Sequence, residues 1–316
     1  MKQILITGGA GFIGSHISRR LLHEGNRITI VDDLSTGKRA NVEDLLGHEY
    51  CTLIEHDVMN PLPGLSYAPD QIYNLACPAS PPQYQKDPIR TLMINIFGAK
   101  HALELAEQAG ATLLQASTSE VYGDPIQHPQ AESYTGNVNA IGPRACYDEG
   151  KRAAETLCFD YHRQRGVKIK VARIFNTYGP AMDKHDGRVV TNFIHQALEG
   201  HGLTLYGDGQ QTRSFCYVDD MVDGLIALMN SADGITGPVN LGNPDEFTIE
   251  ELAELVLELT ASGSTLEYKP LPQDDPMQRQ PDISLAKQLL NWQPQVKLRK
   301  GLEKTIAAAR KEALAA

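Results

Sequence analysis

Metal-ligand spacing is missing from this chain. Its five cysteines, Cys51, Cys77, Cys146, Cys158 and Cys216, are scattered and odd in number, and no two form a CxxC pair. Its ten histidines include no HExxH. Neither a zinc site nor a disulfide framework is indicated, no metal is expected, and reduced thiols in a cytoplasmic setting are the simplest reading. Long hydrophobic runs are missing as well. No apolar stretch is long enough to span a bilayer, and the first residues lack the charged and apolar regions of a secretion signal. An excess of basic charge is also absent: 29 Lys and Arg stand against 39 Asp and Glu, for a net charge of −10. That balance speaks against nucleic acid or an anionic membrane as the main partner, while leaving room for a local basic pocket. What remains is ordinary globular composition, 41% hydrophobic and 22% charged over 316 residues. A chain of this size buries a large core without staples.

Short apolar runs alternate with helical periodicity through the first half. Strands are expected at Ile4–Thr7, Arg27–Asp33, Cys51–Asp57, Gln71–Ala76, Ala111–Thr118 and Lys168–Ile174. Helices are expected after Phe12, over Ile89–Ala109 and over Tyr147–Arg165, with a Pro-rich loop at Cys77–Pro88. Such alternation predicts an α/β fold of the Rossmann type, a doubly wound parallel sheet with helices on both faces. Beyond Asn176 the pattern loosens. A helix at Val189–Leu198, short strands at Leu203–Tyr206 and Phe215–Val218, and a capping box of Thr248 and Glu251 suggest a smaller C-terminal α/β lobe. The division expected is residues 1–175 for a dinucleotide-binding domain and 176–316 for a substrate lobe, with later segments returning to the first.

Gly8, Gly11 and Gly14 fall in the run GGAGFIG between the first strand and the first helix. Gly8 suits a tight turn, Gly11 the approach of a pyrophosphate, and Gly14 the packing of helix on strand. The helix N-terminus, opened by Phe12 and Ile13, then offers N–H groups and a positive dipole end to phosphate. Asp32 ends the second strand 18 residues after Gly14. A carboxylate there accepts from a ribose 2′-OH and repels a 2′-phosphate, which favours NAD over NADP. Asp57, followed by Val58, is placed to meet an adenine amino group or simply to cap a turn. Leu75 and Ala76 are expected along the cofactor. Lys38 and Arg39 read as loop charges.

Tyr147 and Lys151 stand four apart on a helix and so share a face. Ionising a phenol at neutral pH costs about 4 kcal/mol, from a pKa near 10. A neighbouring ammonium and a nicotinamide cation are expected to lower that cost. Tyr147 could then take a proton from a sugar hydroxyl as hydride leaves. Thr118 and Glu120, in STSEVYG after the fifth strand, face the same cleft. Glu120 admits two readings, a task in the chemistry or a salt bridge to a neighbouring loop.

GGAGFIGSH, Asp32, STSEVYGDP, GPRACYDEGKR, ARIFNTYGP and DGRVV together resemble the extended short-chain dehydrogenase/reductase family. CPASPPQYQKDPIRT, NPDEFTIEE and QDDPMQRQPDI resemble its UDP-glucuronate decarboxylase branch, and the likeness runs from Ile4 to about Trp292. The resemblance implies a seven-stranded sheet with a bound, recycled NAD. The implied reaction converts UDP-glucuronate to UDP-xylose and CO₂ through a 4-keto sugar. It implies Tyr147 as base with Lys151 and Thr118 as partners, Glu120 as an active-site carboxylate, and Arg279 as a catalytic or substrate-orienting group. Arg188 is implied near the cofactor, and Asn176 and Arg213 at the substrate phosphates. Tyr206 is a further expected substrate contact. Tyr84, Arg90 and the Cys77–Pro82 loop are weaker candidates for the sugar pocket, rigidity of the Pro-rich loop being an equal account. The helices Ile89–Ala109 and Tyr147–Arg165 resemble the family's four-helix dimer interface, and a homodimer is the implied assembly. UDP-glucuronate 4-epimerase and a non-catalytic NAD or UDP-sugar binder are the alternatives. The Ser119-Glu120 pair lacks the acid that a sugar dehydratase carries at its first position.

Overall fold

The structure is a computed structural model that describes residues 1–270 and 278–315; the QDDPM stretch, 273–277, lies outside the described residues. Six strands, β1 (Gln3–Thr7), β2 (Arg27–Asp32), β3 (Cys51–Glu55), β4 (Gln71–Asn74), β5 (Thr112–Thr118) and β6 (Lys168–Ile174), join the strand Val239–Leu241 in one sheet of seven. The spatial order is Val239–Leu241, β6, β5, β4, β1, β2, β3, and every pair is parallel. The winding direction reverses between β1 and β4, so a crevice opens at their carboxyl ends.

Strand alternation sorts the core into two layers. Ile4, Ile6, Ile28 and Ile30 face Ile17 and Leu21 of α1 (Phe12–His23). Leu5, Val31 and Ile72 face the other way, toward Ile94 and Leu103 of α3 (Pro88–Ala109) and Cys158 of α4 (Ala145–Arg165). Each such side chain, fully buried, contributes about 1.5–3 kcal/mol. Both long helices stop where a glycine turns left-handed, Gly110 after α3 and Gly166 after α4. The sheet interior also carries a polar ladder: Thr7 Oγ1 donates to Asn74 Oδ1 at 2.7 Å, and Asn74 Nδ2 to Gln115 Oε1 at 2.7 Å.

Two sequence expectations change. The Pro-rich loop contains a short helix, α2 (Pro81–Tyr84), started by prolines whose missing N–H groups cost nothing at a first turn. Phe215–Val218 is not one strand. Cys216–Tyr217 pairs with Thr177–Tyr178, and Val218 opens a helix through Met229. That helix buries Val218, Met221, Val222, Leu225 and Leu228, a helical period that outweighs the β-branched run at its start. Val239–Leu241 then returns from the C-terminal half to the sheet, beside β6. The capping box forms as expected, Thr248 Oγ1 accepting from Glu251 N at 3.0 Å and Glu251 Oε2 from Thr248 N at 2.7 Å. Among the described residues, no helix is long and apolar enough to cross a membrane.

Candidate active site

One cavity of about 840 Å³ runs along the carboxyl edge of the sheet. It is lined by Gly8, Gly11, Phe12, Ile13, Gly14, Asp32, Asp57, Val58, Leu75, Ala76, Tyr84, Thr118, Glu120, Tyr147, Lys151, Asn176, Arg188, Tyr206, Arg213 and Arg279. Apart from Arg90, the candidate residues named from the sequence therefore reach the same space, although their positions span most of the chain.

The β1–α1 turn accepts only glycine at two points. Gly8 has φ +70°, and a Cβ there would lie 2.8 Å from the Ala76 backbone. A Cβ on Gly14 would lie 2.1 Å from Gly8 O. The first turn of α1 holds no acidic residue, and its N-cap, Gly11, makes no side-chain cap. Its N–H groups and dipole thus face the cavity, ready for an anion. Asp32 is buried and braces the turn, accepting from Ala10 N and Leu34 N, each at 2.9 Å. Burial pushes its carboxyl up against those two hydrogen bonds. Asp33 and Asp57 stand near it and share Arg90 Nη2, at 3.0 and 2.9 Å. Arg90 therefore belongs to this acidic end and not to a sugar pocket. Three carboxylates at the ends of β2 and β3 suit ribose hydroxyls and disfavour an added phosphate. Lys38, read as a loop charge, pairs with Asp183 Oδ2 at 2.6 Å across the cavity mouth.

At the opposite end, β5 delivers Thr118, whose Oγ1 accepts from Glu120 N at 3.2 Å. The α4 helix delivers Tyr147 and Lys151 on its buried face. Lys151 Nζ donates to Ala116 O at 2.9 Å and lies 5.7 Å from the Tyr147 ring centroid. Tyr84 stacks on Tyr147 at 5.0 Å, nearly parallel. Burial raises the Tyr147 phenol well above its ordinary value; the charges of Cys77 and Glu120 add to this, and a Thr118 hydrogen bond and Arg188 oppose it. Burial likewise lowers Lys151. Burial thus leaves the phenol harder to ionise than a free one, a cost that the nearby Lys151 ammonium does not by itself offset.

Glu120 sits between two guanidiniums. Arg279 binds it bidentately, with Nη1 on Oε1 and Nη2 on Oε2 at 2.9 Å. Arg144 Nη2 meets Oε2 at 2.7 Å. Burial alone would raise this carboxyl, yet Arg279 and Arg144 hold it down to about 2. Glu120 is therefore ionised at any working pH. Both readings of Glu120 merge here, since its salt bridges lie inside the cavity. Arg144 carried no assigned role in the sequence reading; the only signal was its place in GPRACYDEGKR. Arg279 stands in register beside Arg213 in a small three-stranded sheet, so both side chains leave on one side. Arg188 pairs with Asp186 at 2.5 Å.

A parallel seven-stranded sheet, a glycine turn at its switch point and a Thr–Tyr–Lys set are the parts of a dinucleotide-dependent enzyme. The chain belongs to the NAD dependent epimerase/dehydratase family, whose model matches residues 4–242. Its relatives are more particular. It is 57% identical over 311 residues to UDP-glucuronic acid decarboxylase 1 of Xenopus tropicalis, covering 98% of this chain and 73% of that one. It is 56% identical over 301 residues to UDP-glucuronic acid decarboxylase 3 of Arabidopsis thaliana, covering 95% and 86%. Among solved structures it resembles UDP-glucuronic acid 4-epimerase from Bacillus cereus in complex with UDP-glucuronic acid and NAD, with a TM-score of 0.88, 28% identity, and 98% and 99% of the two chains covered.

Proposed function

We propose that this chain is a UDP-glucuronate decarboxylase that forms UDP-xylose and CO₂ with NAD as a recycled cofactor. The observation that carries this reading is the buried carboxylate Glu120 held between Arg279 and Arg144, next to Thr118, Tyr147 and Lys151.

The glycine turn, the open N-terminus of α1 and the acids Asp32 and Asp57 fit an NAD whose pyrophosphate lies over the helix and whose ribose meets Asp32. When bound, NAD supplies a hydride acceptor and later a hydride donor at the sugar C4. Tyr147 Oη takes the proton of the C4 hydroxyl, with Thr118 as its hydrogen-bond partner and Lys151, fixed by Ala116 O, behind it. A bound oxidised cofactor would add its positive charge to those of Lys151 and Arg188 near the phenol. With a ketone at C4, the C5–C6 bond of the uronate breaks and its electron pair moves into the carbonyl as an enolate. CO₂ leaves, C5 takes a proton, and the ketone returns to an alcohol. Glu120, ionised throughout, is no proton donor at the start of this sequence. Its role is to fix the two arginines that orient the sugar carboxylate. Arg213 and Asn176 serve the diphosphate, for which a planar guanidinium is a matched partner, and Tyr206 lines the outer edge of the same space.

The likeness to a uronate epimerase keeps one second reading in play, and a single incubation separates the two. Purified protein is given UDP-glucuronate, with and without added NAD, and the nucleotide sugar and gas are identified. CO₂ with a UDP-pentose and no accumulating NADH is the expected outcome. UDP-galacturonate would make the chain an epimerase, and no product would make it a binder.

A homodimer through α3 and α4 belongs to the same proposal. It is supported by Ile89 and Phe97, which leave apolar surface on α3 at 73% and 39% exposure. Sedimentation as a monomer at working concentration would refute it. Five free thiols suit a reducing, cytoplasmic location.

A further inference from the structure

Gln130 is fully buried and does not line the reaction cavity. Glutamine is ordinarily a surface residue, and an amide taken out of water costs free energy unless its polar atoms are paired. Here every one of them is. The backbone N donates to Gln280 O at 2.9 Å, and the backbone O accepts from Asp282 N at 2.9 Å. The side-chain Oε1 accepts from Gln280 N at 2.9 Å, and Nε2 donates to Gln127 O at 2.8 Å. Gln130 thus bridges to Pro281 in parallel register and grips the backbone directly after Arg279.

The grip has a foundation in the central sheet. Asn240, also fully buried, stands on the strand Val239–Leu241 beside β6. Its Nδ2 donates to Gln130 O at 2.9 Å and to Asp282 O at 3.1 Å. Its Oδ1 accepts from Tyr122 Oη at 2.7 Å. Tyr122 follows Glu120 by two residues, and Gln280 follows Arg279 by one. The chain beside each partner of the Glu120–Arg279 ion pair is therefore referred to the same amide on a rigid element. The Gln278–Arg279 strand itself pairs with Thr212 and Arg213 of the small sheet; Gln130 and Asn240 fasten its end to the large one.

We infer that Gln130 is a positioning residue for the reaction: seated on Asn240, it fixes the backbone at Gln280 and so the point from which Arg279 reaches Glu120 and the sugar carboxylate. This rests on the decarboxylase reading, which gives Arg279 a sugar carboxylate to orient. A guanidinium fork acts through two parallel hydrogen bonds, so its placement matters as well as its charge. A misplacement of about 1 Å at reacting groups costs about a hundredfold in rate. Removing Oε1 leaves Gln280 N unpaired in the interior, and the segment must shift to satisfy it. The positive charge stays in the cavity, so substrate is still held. What is lost is aim, and the loss falls on kcat rather than on KM.

Gln130→Met keeps the length of the side chain and removes both amide groups. The experiment measures kcat and KM for UDP-glucuronate, the inhibition constant of UDP-xylose, which has no sugar carboxylate, and the far-UV circular dichroism of each protein. Gln130→Met should fold and lower kcat about ten- to a hundredfold, while KM and the UDP-xylose constant move less than about threefold. In an Arg279→Lys background, where no fork remains to be aimed, the same change should cost less than about threefold further. If Gln130→Met does not fold, Gln130→Asn keeps the amide, withdraws Oε1 by one methylene, and carries the same expectations. An unchanged kcat in a folded variant, a parallel weakening of UDP-xylose, or a drop of full size in the Arg279→Lys background would overturn the inference. So would failure of both variants to fold, which would make Gln130 a folding residue. A wild type that releases no CO₂ from UDP-glucuronate defeats the decarboxylase reading itself, whereas variants measured against an active wild type bear only on Gln130.

Discussion

Glu120→Gln keeps the shape of a side chain and removes its charge from between two guanidiniums. The carboxyl is held at about 2 against an ordinary 4.5, burial having been overcome by Arg279 and Arg144. At about 1.4 kcal/mol per pH unit, that gap corresponds to about 3 kcal/mol in favour of the fold at neutral pH. The side chain is 14% exposed, so little of this is screened by solvent. Because the folded-state value is depressed, the stabilisation is present in full above about 4.5 and is lost as pH falls toward 2. Urea unfolding of both proteins at pH 7, 5 and 3.5 tests this. The variant should be less stable by about 3 kcal/mol at pH 7 and at pH 5, and by about 2 kcal/mol at pH 3.5. Turnover should fall by about a hundredfold as the arginines lose their anchor. A stability gap that stays constant to pH 3.5, or a variant as stable as wild type at pH 7, would refute the reasoning that the arginines serve Glu120 electrostatically.

Tyr147→Phe should lower turnover by about 10² to 10⁴ while NAD still binds, as read by CO₂ release and by fluorescence titration with the reduced cofactor; near-normal turnover would remove Tyr147 as the base. Gly14→Ala forces a Cβ to within 2.1 Å of Gly8 O, so the turn must shift at a cost of about 1–3 kcal/mol. Cofactor affinity should fall with it, and a variant that binds NAD as tightly as the wild type would show the turn to be looser than its geometry implies.

The first half of the fold was legible because a parallel sheet buries both faces of each strand. β1 to β6 begin and end within about two residues of their apolar runs, and α3 and α4 follow their helical periods. The glycine turn and Asp32 were legible because phosphate and ribose chemistry dictate spacing within one β–α–β unit. The helix beginning at Val218 was not, since Phe215–Val218 is β-branched and aromatic, and the apolar period becomes visible only further along. Arg144 was missed for a different reason: its partner Glu120 lies 24 positions away, and no local spacing rule joins a residue before one helix to the end of a strand. Arg90 was drawn to the wrong end of the cavity by its neighbour Tyr84, although α3 carries it toward Asp33 and Asp57.

Glu120 and Arg279 are 159 positions apart, and this separation imposes an order of events during synthesis. A ribosome adding about 5–20 residues per second completes β5 and α4 on the order of ten seconds before it reaches Arg279. In that interval the nascent chain can form the dinucleotide turn, and Arg144 can shield the waiting acid, but the bidentate grip does not yet exist. A message truncated between the end of α4 and codon 279 therefore yields a polypeptide with a nucleotide cradle and an unfinished reaction chamber. Competence arrives with about the last eighth of translation.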